Sequence, residues 1–389
     1  MRAYKVELNP TSSQKNKINQ TIGVCRFIYN FFISHNEEVY KKEKTYVSGY
    51  DFSKWLNNEF IPNNPDKKWI KDVSSKSVKQ AIMNADTAFK KFFKGESGFP
   101  NYKKKNKQNV KIYFPKNNKG DLTVERHRIK IPTLGFVRLK EKGYIPTNVK
   151  VKSATVYRKA DKYYISVLID DTFPEYRHES YTEGIGVDLG IKDFAICSNN
   201  KIFKNINKTK EVKRLEKKLK REQRKLSRKY ESLKVRQKNI KEEGRATRQN
   251  IQKQVVKVQR LYQRLTNIRQ NYINYVVSEL VKTKPAFITI EDLNVRGMIK
   301  NRHLAKAISK QNFYLFRAKL IHKSKQQSIE IRIVDRFYPS SKTCSNCGSI
   351  KKDLKLSDRK YKCSLCGLEI DRDKNASINL ANVKIYKVA

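Results

Sequence analysis

The hydrophobic pattern changes period several times along the chain, and each change predicts a different kind of element. Residues 2–8 alternate and predict a short strand, which Asn9-Pro10 ends. Thr11 and Gln14 then have the spacing of a capping box, in which each side chain satisfies a backbone N–H near the other. Ile18, Ile22, Cys25, Tyr29 and Phe32 recur beyond it at helical spacing. A second helix is expected over Asp51–Phe60, broken after it by Pro62 and Pro65. A third runs from about Ser74 to Phe93, with Val78, Ile82, Ala85, Phe89 and Phe92 as its buried stripe. After a basic loop, Gly95 to Lys107, the period falls to two. Strands are predicted at Val110–Phe114, Arg128–Ile131, Gly135–Lys140, Val149–Tyr157 and Lys162–Asp170, with Ala160-Asp161 as a hairpin turn. These make a small antiparallel barrel or sheet. Residues 2–8 are expected to join it, so the intervening helices form an insertion.

At Gly184 the texture changes again. Ile185, Val187 and Leu189 alternate against Gly186 and Asp188, as in a strand, and a second antiparallel strand follows to Ile196. The glycines leave room for a bulky group to approach the backbone. Asp188 is a carboxylate in an apolar strand with no adjacent cation, which is costly unless it is paired, protonated or metal-bound. Residues 207–283 read as two long basic helices folded against each other. Leu215, Leu219, Leu226, Tyr230 and Leu233 line the first, Gly244 breaks it, and Ile251, Val255, Val258, Tyr262, Leu265, Ile268, Tyr272 and Val276 line the second. A solvated structural pair is the alternative; the Lys and Arg density favours a surface that also tracks phosphates. Residues 285–293 form a continuous apolar run, suited to a strand buried on both faces, and end at Glu291. In open α/β sheets chemistry gathers at the carboxyl ends of strands. A helix over 311–327, a strand Ile329–Val334 and a closing helix Asn375–Asn382 complete the pattern.

Charge narrows the function. The 389 residues carry 86 Lys and Arg against 37 Asp and Glu, a net charge of +49. That excess suits an extended polyanion, and 21 Tyr and 18 Phe among the basic residues supply stacking faces for bases. No apolar run is long enough for a membrane span, and the N-terminus reads as a strand rather than a signal peptide. No Gly-x-x-x-x-Gly-Lys loop is present, which argues against an ATP-driven motor. The predicted helix from Ser74 turns Lys76, Lys79, Gln80 and Asn84 to its polar side, where Lys76 and Gln80 could read a DNA groove; an ordinary solvated face is the alternative.

Four of the six cysteines have a pattern of their own. Cys344-Ser-Asn-Cys347-Gly and Cys363-Ser-Leu-Cys366-Gly are two hooks separated by fifteen residues, the spacing of a four-thiolate zinc site. Four thiolates close the coordination sphere, so this zinc is structural. Cys25 and Cys197 read as free core thiols in a reducing compartment. Asp371 and Asp373 follow the last hook closely. Asp188, Glu291 and Asp373 lie in three different elements, and the five histidines are scattered singly. Carboxylates within a strongly basic chain point to metal-assisted phosphodiester hydrolysis. Magnesium prefers oxygen ligands, and two such ions about 4 Å apart can activate water and stabilise a leaving oxygen.

The joint presence and order of these motifs resemble the TnpB family, accessory proteins of bacterial insertion sequences and relatives of type V CRISPR effector nucleases. The match is carried by Leu8-Asn9-Pro10-Thr11 with Gln14, by Gly23-Val24-Cys25-Arg26-Phe27-Ile28-Tyr29-Asn30, and by Gly186-Val187-Asp188-Leu189-Gly190. It continues in Ile290-Glu291-Asp292-Leu293, Tyr338-Pro339-Ser340-Ser341-Lys342-Thr343-Cys344 and Asp371-Arg372-Asp373-Lys374-Asn375-Ala376; Ser377 stands where the family usually has Ala. The resemblance implies an α+β multidomain protein. Its RNase H-like (RuvC) α/β nuclease domain would span 181–389, with the helical pair at 207–283 and a zinc ribbon inserted at 339–369. A wedge-like β-barrel domain would comprise 1–10 and 108–180, with a helical recognition lobe, 11–107, inserted in it. The implied catalytic and magnesium-binding triad is Asp188, Glu291 and Asp373, with Asp373 chosen over Asp371 by analogy. Zinc would sit on Cys344, Cys347, Cys363 and Cys366. The implied partners are a guide RNA from the transposon end and a double-stranded DNA target beside a short motif, read by a cytoplasmic, nucleoid-associated protein for which a monomer is favoured. Two alternatives stand beside this: a nuclease-silent RNA-guided DNA binder, against which the complete triad argues, and a guide-independent DNA-binding transposition factor.

Overall fold

The computed structural model describes residues 1–105, 111–116, 120–170, 183–239, 248–355 and 358–389. Two units can be distinguished, Met1–Thr172 and Phe173–Ala389.

In the first unit, strand β1 (Arg2–Asn9) leads into helix α1 (Ser12–Glu43), α2 (Gly49–Trp55), α3 (Ile61–Asn63) and α4 (Ser75–Phe93). Strands β2 (Ile112–Pro115), β3 (Arg128–Ile131), β4 (Gly135–Leu139), β5 (Lys150–Lys159) and β6 (Lys162–Asp170) follow. The Thr11–Gln14 capping box opens α1 as its spacing predicts, each side chain bonding the other's backbone N–H. The helix expected over Asp51–Phe60 does not stop there. It widens to a π turn at Leu56–Phe60 and runs on through Pro62 to Asn63. Pro62 lacks an N–H and crowds the carbonyl four residues back; the wider turn, in which Ile61 N–H reaches Leu56 O, relieves that clash.

The six strands are ordered β2-β5-β6-β1-β4-β3, with β2 and β3 at the edges and every pairing antiparallel. Strand β1 lies between β6 and β4, so α1–α4 leave the sheet and the chain then returns to it. Helix α1 serves two cores at once. Ile18 joins the sheet's interior beside Val6, Ile129 and Val167, while Val24, Ile28 and Phe32 pack with Phe52, Ile82 and Phe89.

Asp86 is the buried polar anchor of these helices. Its carboxylate accepts from the Tyr46 hydroxyl (2.8 Å), the Gly49 N–H (3.1 Å) and Lys90 Nζ (2.7 Å). Burial alone would raise this carboxyl, but those bonds together hold it below its ordinary value. Its ionised form therefore adds stability at neutral pH that is lost as pH falls through the folded-state value. Asp86→Ala should cost about 3 kcal/mol, because a buried N–H and hydroxyl lose their acceptor. Urea titration should show that deficit at pH 7 and its shrinkage below about pH 4.

The second unit is built on a mixed sheet. Its first strands are β7 (Ile185–Leu189), β8 (Asp193–Cys197) and β9 (Ile202–Lys204), followed by helices α5 (Lys210–Asn239) and α6 (Gln249–Lys282). Then come β10 (Phe287–Glu291), α7 (Val295–Lys300), α8 (Ala305–Gln311), α9 (Phe313–Lys325) and β11 (Glu330–Val334). The chain closes with β12 (Lys360–Lys362), β13 (Glu369–Asp371), α10 (Arg372–Ala381) and β14 (Lys387–Val388). The main sheet is ordered β14-β11-β10-β7-β8-β9. Strand β10 pairs in parallel with both β7 and β11, and the outer pairs are antiparallel. One face carries Ile185, Val187, Ile288, Ile290, Ile331 and Ile333, which pack with Ile273, Val277 and Leu280 of α6 and Phe316 and Leu320 of α9.

Helices α5 and α6 run antiparallel. Glu211 pairs with Arg264, the Glu222 carboxylate accepts from Gln254 and Lys229 donates to Asn250 O, so partners recede along α6 as they advance along α5. Val212, Leu215, Leu219, Val258 and Leu265 form the seam. Tyr230 and Tyr262, expected in the apolar stripes, are exposed instead. The Tyr262 hydroxyl accepts from Gln223 at the surface. The predicted break at Gly244 lies outside the described residues. Among the described residues, no helix is long and apolar enough to cross a membrane.

Candidate active site

The opposite face of the main sheet carries the acids. Val187 lies opposite Ile290 in the parallel register, so the next residues along, Asp188 and Glu291, lie on the same face near the carboxyl ends of neighbouring strands. Gly186 and Thr289, one pleat back, share that face. Helix α10 lies on it. A Cβ added at Gly186 would come 2.0 Å from Ser377 O and 2.4 Å from Ala381 N, so the absent side chain is what seats the helix. The bulky group for which the glycine leaves room is the protein's own α10. Gly186→Ala should displace it and lower the melting temperature, at a cost of about 1–3 kcal/mol for overpacking. An unchanged melting temperature would contradict this packing argument.

Helix α10 brings in the third acid. Asp371 is its N-cap: its exposed carboxylate accepts from the Asp373 N–H (3.0 Å) and the Lys374 N–H (3.1 Å). Asp373 sits in the first turn, four and eight residues before Ser377 and Ala381, on the side of α10 facing β7. It is bracketed by its neighbour Arg372, whose Nη2 lies 3.1 Å from Asp373 Oδ1. Lys374 fixes the same turn from the other side, donating to Cys197 O (3.1 Å) and Ser198 O (2.6 Å). The Ser377 hydroxyl donates to Lys374 O (2.7 Å) and leaves the acids alone.

The electrostatics follow from this crowding. The Asp188 carboxyl is pushed well above the ordinary carboxylate range, first by burial and then by the charges of Glu291 and Asp373; Arg372 opposes this, and Asp371 adds least. Burial also raises Glu291, against the Ser340 hydroxyl that donates to Glu291 Oε1. Asp292 has a different task. Arg317 and Arg336 both pair with it and hold it below its ordinary value. Those two arginines, with Leu189, Leu293, Phe313 and the exposed Tyr314, wall a cleft of about 200 Å³ that reaches Glu291.

The cysteines form a second centre. The four sulfur atoms all lie within 4.8 Å of one another, the one such group of metal-ligating side chains among the described residues. Cys344 and Cys366 sulfurs are 3.5 Å apart and those of Cys347 and Cys363 are 3.6 Å apart, too far for disulfides. Sulfurs on a tetrahedral zinc at about 2.3 Å would stand about 3.8 Å apart, so the set fits this ion. Each hook turns through a glycine in the left-handed region, Gly348 at φ +76° and Gly367 at φ +70°. Their N–H groups donate back to Cys344 O (2.9 Å) and Cys363 O (3.2 Å). Cys25 and Cys197 are free and buried, and burial pushes both thiols up to about 12, which leaves them protonated and inert.

The proposed DNA-reading side chains are already engaged. Lys76 Nζ lies 2.6 Å from Asp121, and Gln80 donates to Asn84 Oδ1 (3.0 Å). Sequence reasoning assigned no role to Ser340, Asn375 or Asn379, which join Glu291 and α10 to the cysteine hook. Glu291 and Ser340 are 49 positions apart, and no local period connects them.

Parts of the chain match known protein families. Residues 1–45 match the OrfB_IS605 family described as "Helix-turn-helix domain", 164–302 match "Probable transposase", and 313–380 match "Cas12f1-like, TNB domain". In this chain the first of these stretches is a strand followed by one unbroken helix. The chain is 30% identical to "Putative RNA-guided DNA endonuclease InsQ" of Escherichia coli (strain K12), over 98% of this chain and 91% of that one. It is 28% identical to "Putative RNA-guided DNA endonuclease" of Streptomyces pristinaespiralis, over 97% and 88% of the two chains. Its fold is similar to that of the Cas12f1–sgRNA–target DNA complex, with a TM-score of 0.60 at 16% identity, over 95% of this chain and 83% of that one. Fold, matched domains and the four-cysteine centre define an insertion-sequence protein of mixed α/β architecture with a Cas12f1-like TNB region. The chain belongs to the TnpB family.

Proposed function

We propose that the chain is an RNA-guided DNA endonuclease of an insertion sequence, hydrolysing phosphodiesters at Asp188, Glu291 and Asp373. The observation that carries this reading is the meeting of those acids on one sheet face under α10, in a chain of net charge +49. The names of the relatives and the matched families support it.

The acids fit a hard divalent cation by their chemistry: oxygen donors only, like-charged, and unfavourably ionised without a counter-charge. Magnesium held by Asp188, Glu291 and Asp373 would supply charge stabilisation and an activated water. The protein's own part is placement. Ser340 orients Glu291, the N-cap at Asp371 and the Lys374 bonds set the first turn of α10, and Arg372 flanks Asp373. The cleft beside Glu291 offers apolar and aromatic walls to a base, and Arg317 and Arg336 to its phosphate. A structural zinc would reside on Cys344, Cys347, Cys363 and Cys366. Reading of a DNA motif by Lys76 and Gln80 requires their present partners, Asp121 and Asn84, to be exchanged for DNA.

The test is to purify the chain, sequence the RNA it carries, replace that RNA's guide segment and measure magnesium-dependent cleavage of matched DNA. Cleavage that moves with the guide supports the proposal. Cleavage without RNA would favour the guide-independent reading. RNA-directed binding with no cleavage would favour the nuclease-silent one.

A further inference from the structure

We propose that Ser340 is a positioning residue that ties the zinc hook to the acidic centre, holding Glu291 with its hydroxyl and α10 with its carbonyl. This rests on the active-site reading above. Ser340 is 5% exposed. Its hydroxyl donates to Glu291 Oε1, and its carbonyl accepts from Asn379 Nδ2 at 2.7 Å. One residue therefore touches a carboxylate on β10 and the helix that carries Asp373.

The neighbouring residues complete the tie. Thr343 O accepts from both Asn375 Nδ2 and Asn379 Nδ2, each at 2.6 Å, and Asn375 Oδ1 accepts from the Ser345 N–H at 3.0 Å. Thr343 and Ser345 flank the zinc ligand Cys344. Asn375 and Asn379 are buried, four residues apart on one side of α10, and follow Asp373 by two and six positions. The turn that presents Ser340 is itself closed: Ser340 N–H donates to Tyr338 O (2.8 Å), and both Lys342 N–H and Thr343 N–H donate to Pro339 O (3.0 Å). A hook set by zinc thus fixes where the Ser340 hydroxyl points, and that hydroxyl fixes one rotamer of Glu291. The backbone and asparagine bonds survive loss of the hydroxyl, so Ser340→Ala releases Glu291 while leaving the hook and α10 joined.

The experiment uses the full chain with its copurified RNA and compares wild type, Ser340→Ala and Ser340→Thr. Mn²⁺ binding is followed by electron paramagnetic resonance, zinc by atomic absorption, and cleavage across a magnesium titration. Replacing the hydrogen-bonding partner of a metal-ligating side chain weakens metal affinity by about 10–100-fold. Ser340→Ala should keep its zinc, bind Mn²⁺ at least about tenfold more weakly and need correspondingly more magnesium for half-maximal cleavage. Ser340→Thr, which keeps the hydroxyl, should restore both readouts. Equal Mn²⁺ affinity in wild type and Ser340→Ala would overturn the proposal, as would a lower melting temperature with an unchanged magnesium requirement. Should Ser340→Ala lose its zinc or its fold, Ser340→Cys, which fills the space of the serine with a much weaker donor, carries the same comparison. An Asp188→Ala chain that binds Mn²⁺ as tightly as wild type would overturn the active-site reading as well, a result distinct from equal binding by the Ser340 variants alone.

Discussion

Asp188→Ala, Glu291→Ala and Asp373→Ala should each lower DNA cleavage by at least about a thousandfold, while RNA and target binding stay close to wild type. The acids come from β7, β10 and α10, and on the reading proposed above removal of any one would leave a cation with an incomplete set of oxygen ligands. With a net charge of +49, binding on this reading would draw on many basic side chains, so one carboxylate would contribute little to it. Gel shift and single-turnover cleavage separate the two effects. Full cleavage by Asp373→Ala together with loss in Asp371→Ala would reverse the assignment within that pair. The N-cap bonds of Asp371 argue against that outcome.

The same crowding has a signature in stability. The Asp188 carboxyl is raised in the folded chain by burial and by Glu291 and Asp373, so the folded state holds its proton to higher pH than the unfolded state does. An acid shifted upward destabilises the fold as pH rises through the interval between its two values. With divalent ions chelated, Asp188→Asn should therefore gain thermal stability over wild type as pH rises from acid to neutral. Added magnesium should close the gap, because the bound charge offsets the repulsion. A gap independent of pH and magnesium would mean that the acids do not share one site.

Loss of zinc should have an effect of similar size on activity and a larger one on folding. Cys363→Ser, or extraction of the ion by a strong chelator, should remove the single zinc expected per chain and unfold the hook. Structural zinc contributes about 10–16 kcal/mol in small zinc-binding peptides, far more than one packing contact. The damage should spread beyond the hook, since Thr343 and Ser345 beside Cys344 hold Asn375 and Asn379 of α10. Hydrogen exchange should rise in α10 along with the hook, and cleavage should fall with zinc content. A zinc-free chain with full activity would contradict the argument.

What the sequence determined by itself is what short spacings encode. The capping box at Thr11 and Gln14 acts within one helical turn, and the cysteine hooks each act within a few residues, so both were legible before any fold. The alternation of 162–170 and the helical stripe of α1 were legible for the same reason: the period of a strand or helix is a property of local backbone geometry. Motif order also pointed to the family, and to Asp188, Glu291 and Asp373 as a set. Tertiary structure alone decided what each of these residues touches. Parallel pairing of β7 with β10 placed Asp188 beside Glu291, and the missing side chain of Gly186 let α10 lie close enough to add Asp373. It also spent Asp371 on a helix cap, Lys76 on Asp121 and Asp292 on two arginines, and it gave Ser340 a carboxylate 49 positions away. Such pairings depend on sheet register and on the seating of a helix, which are settled by the packing of the whole unit and leave no periodic trace in the residues concerned.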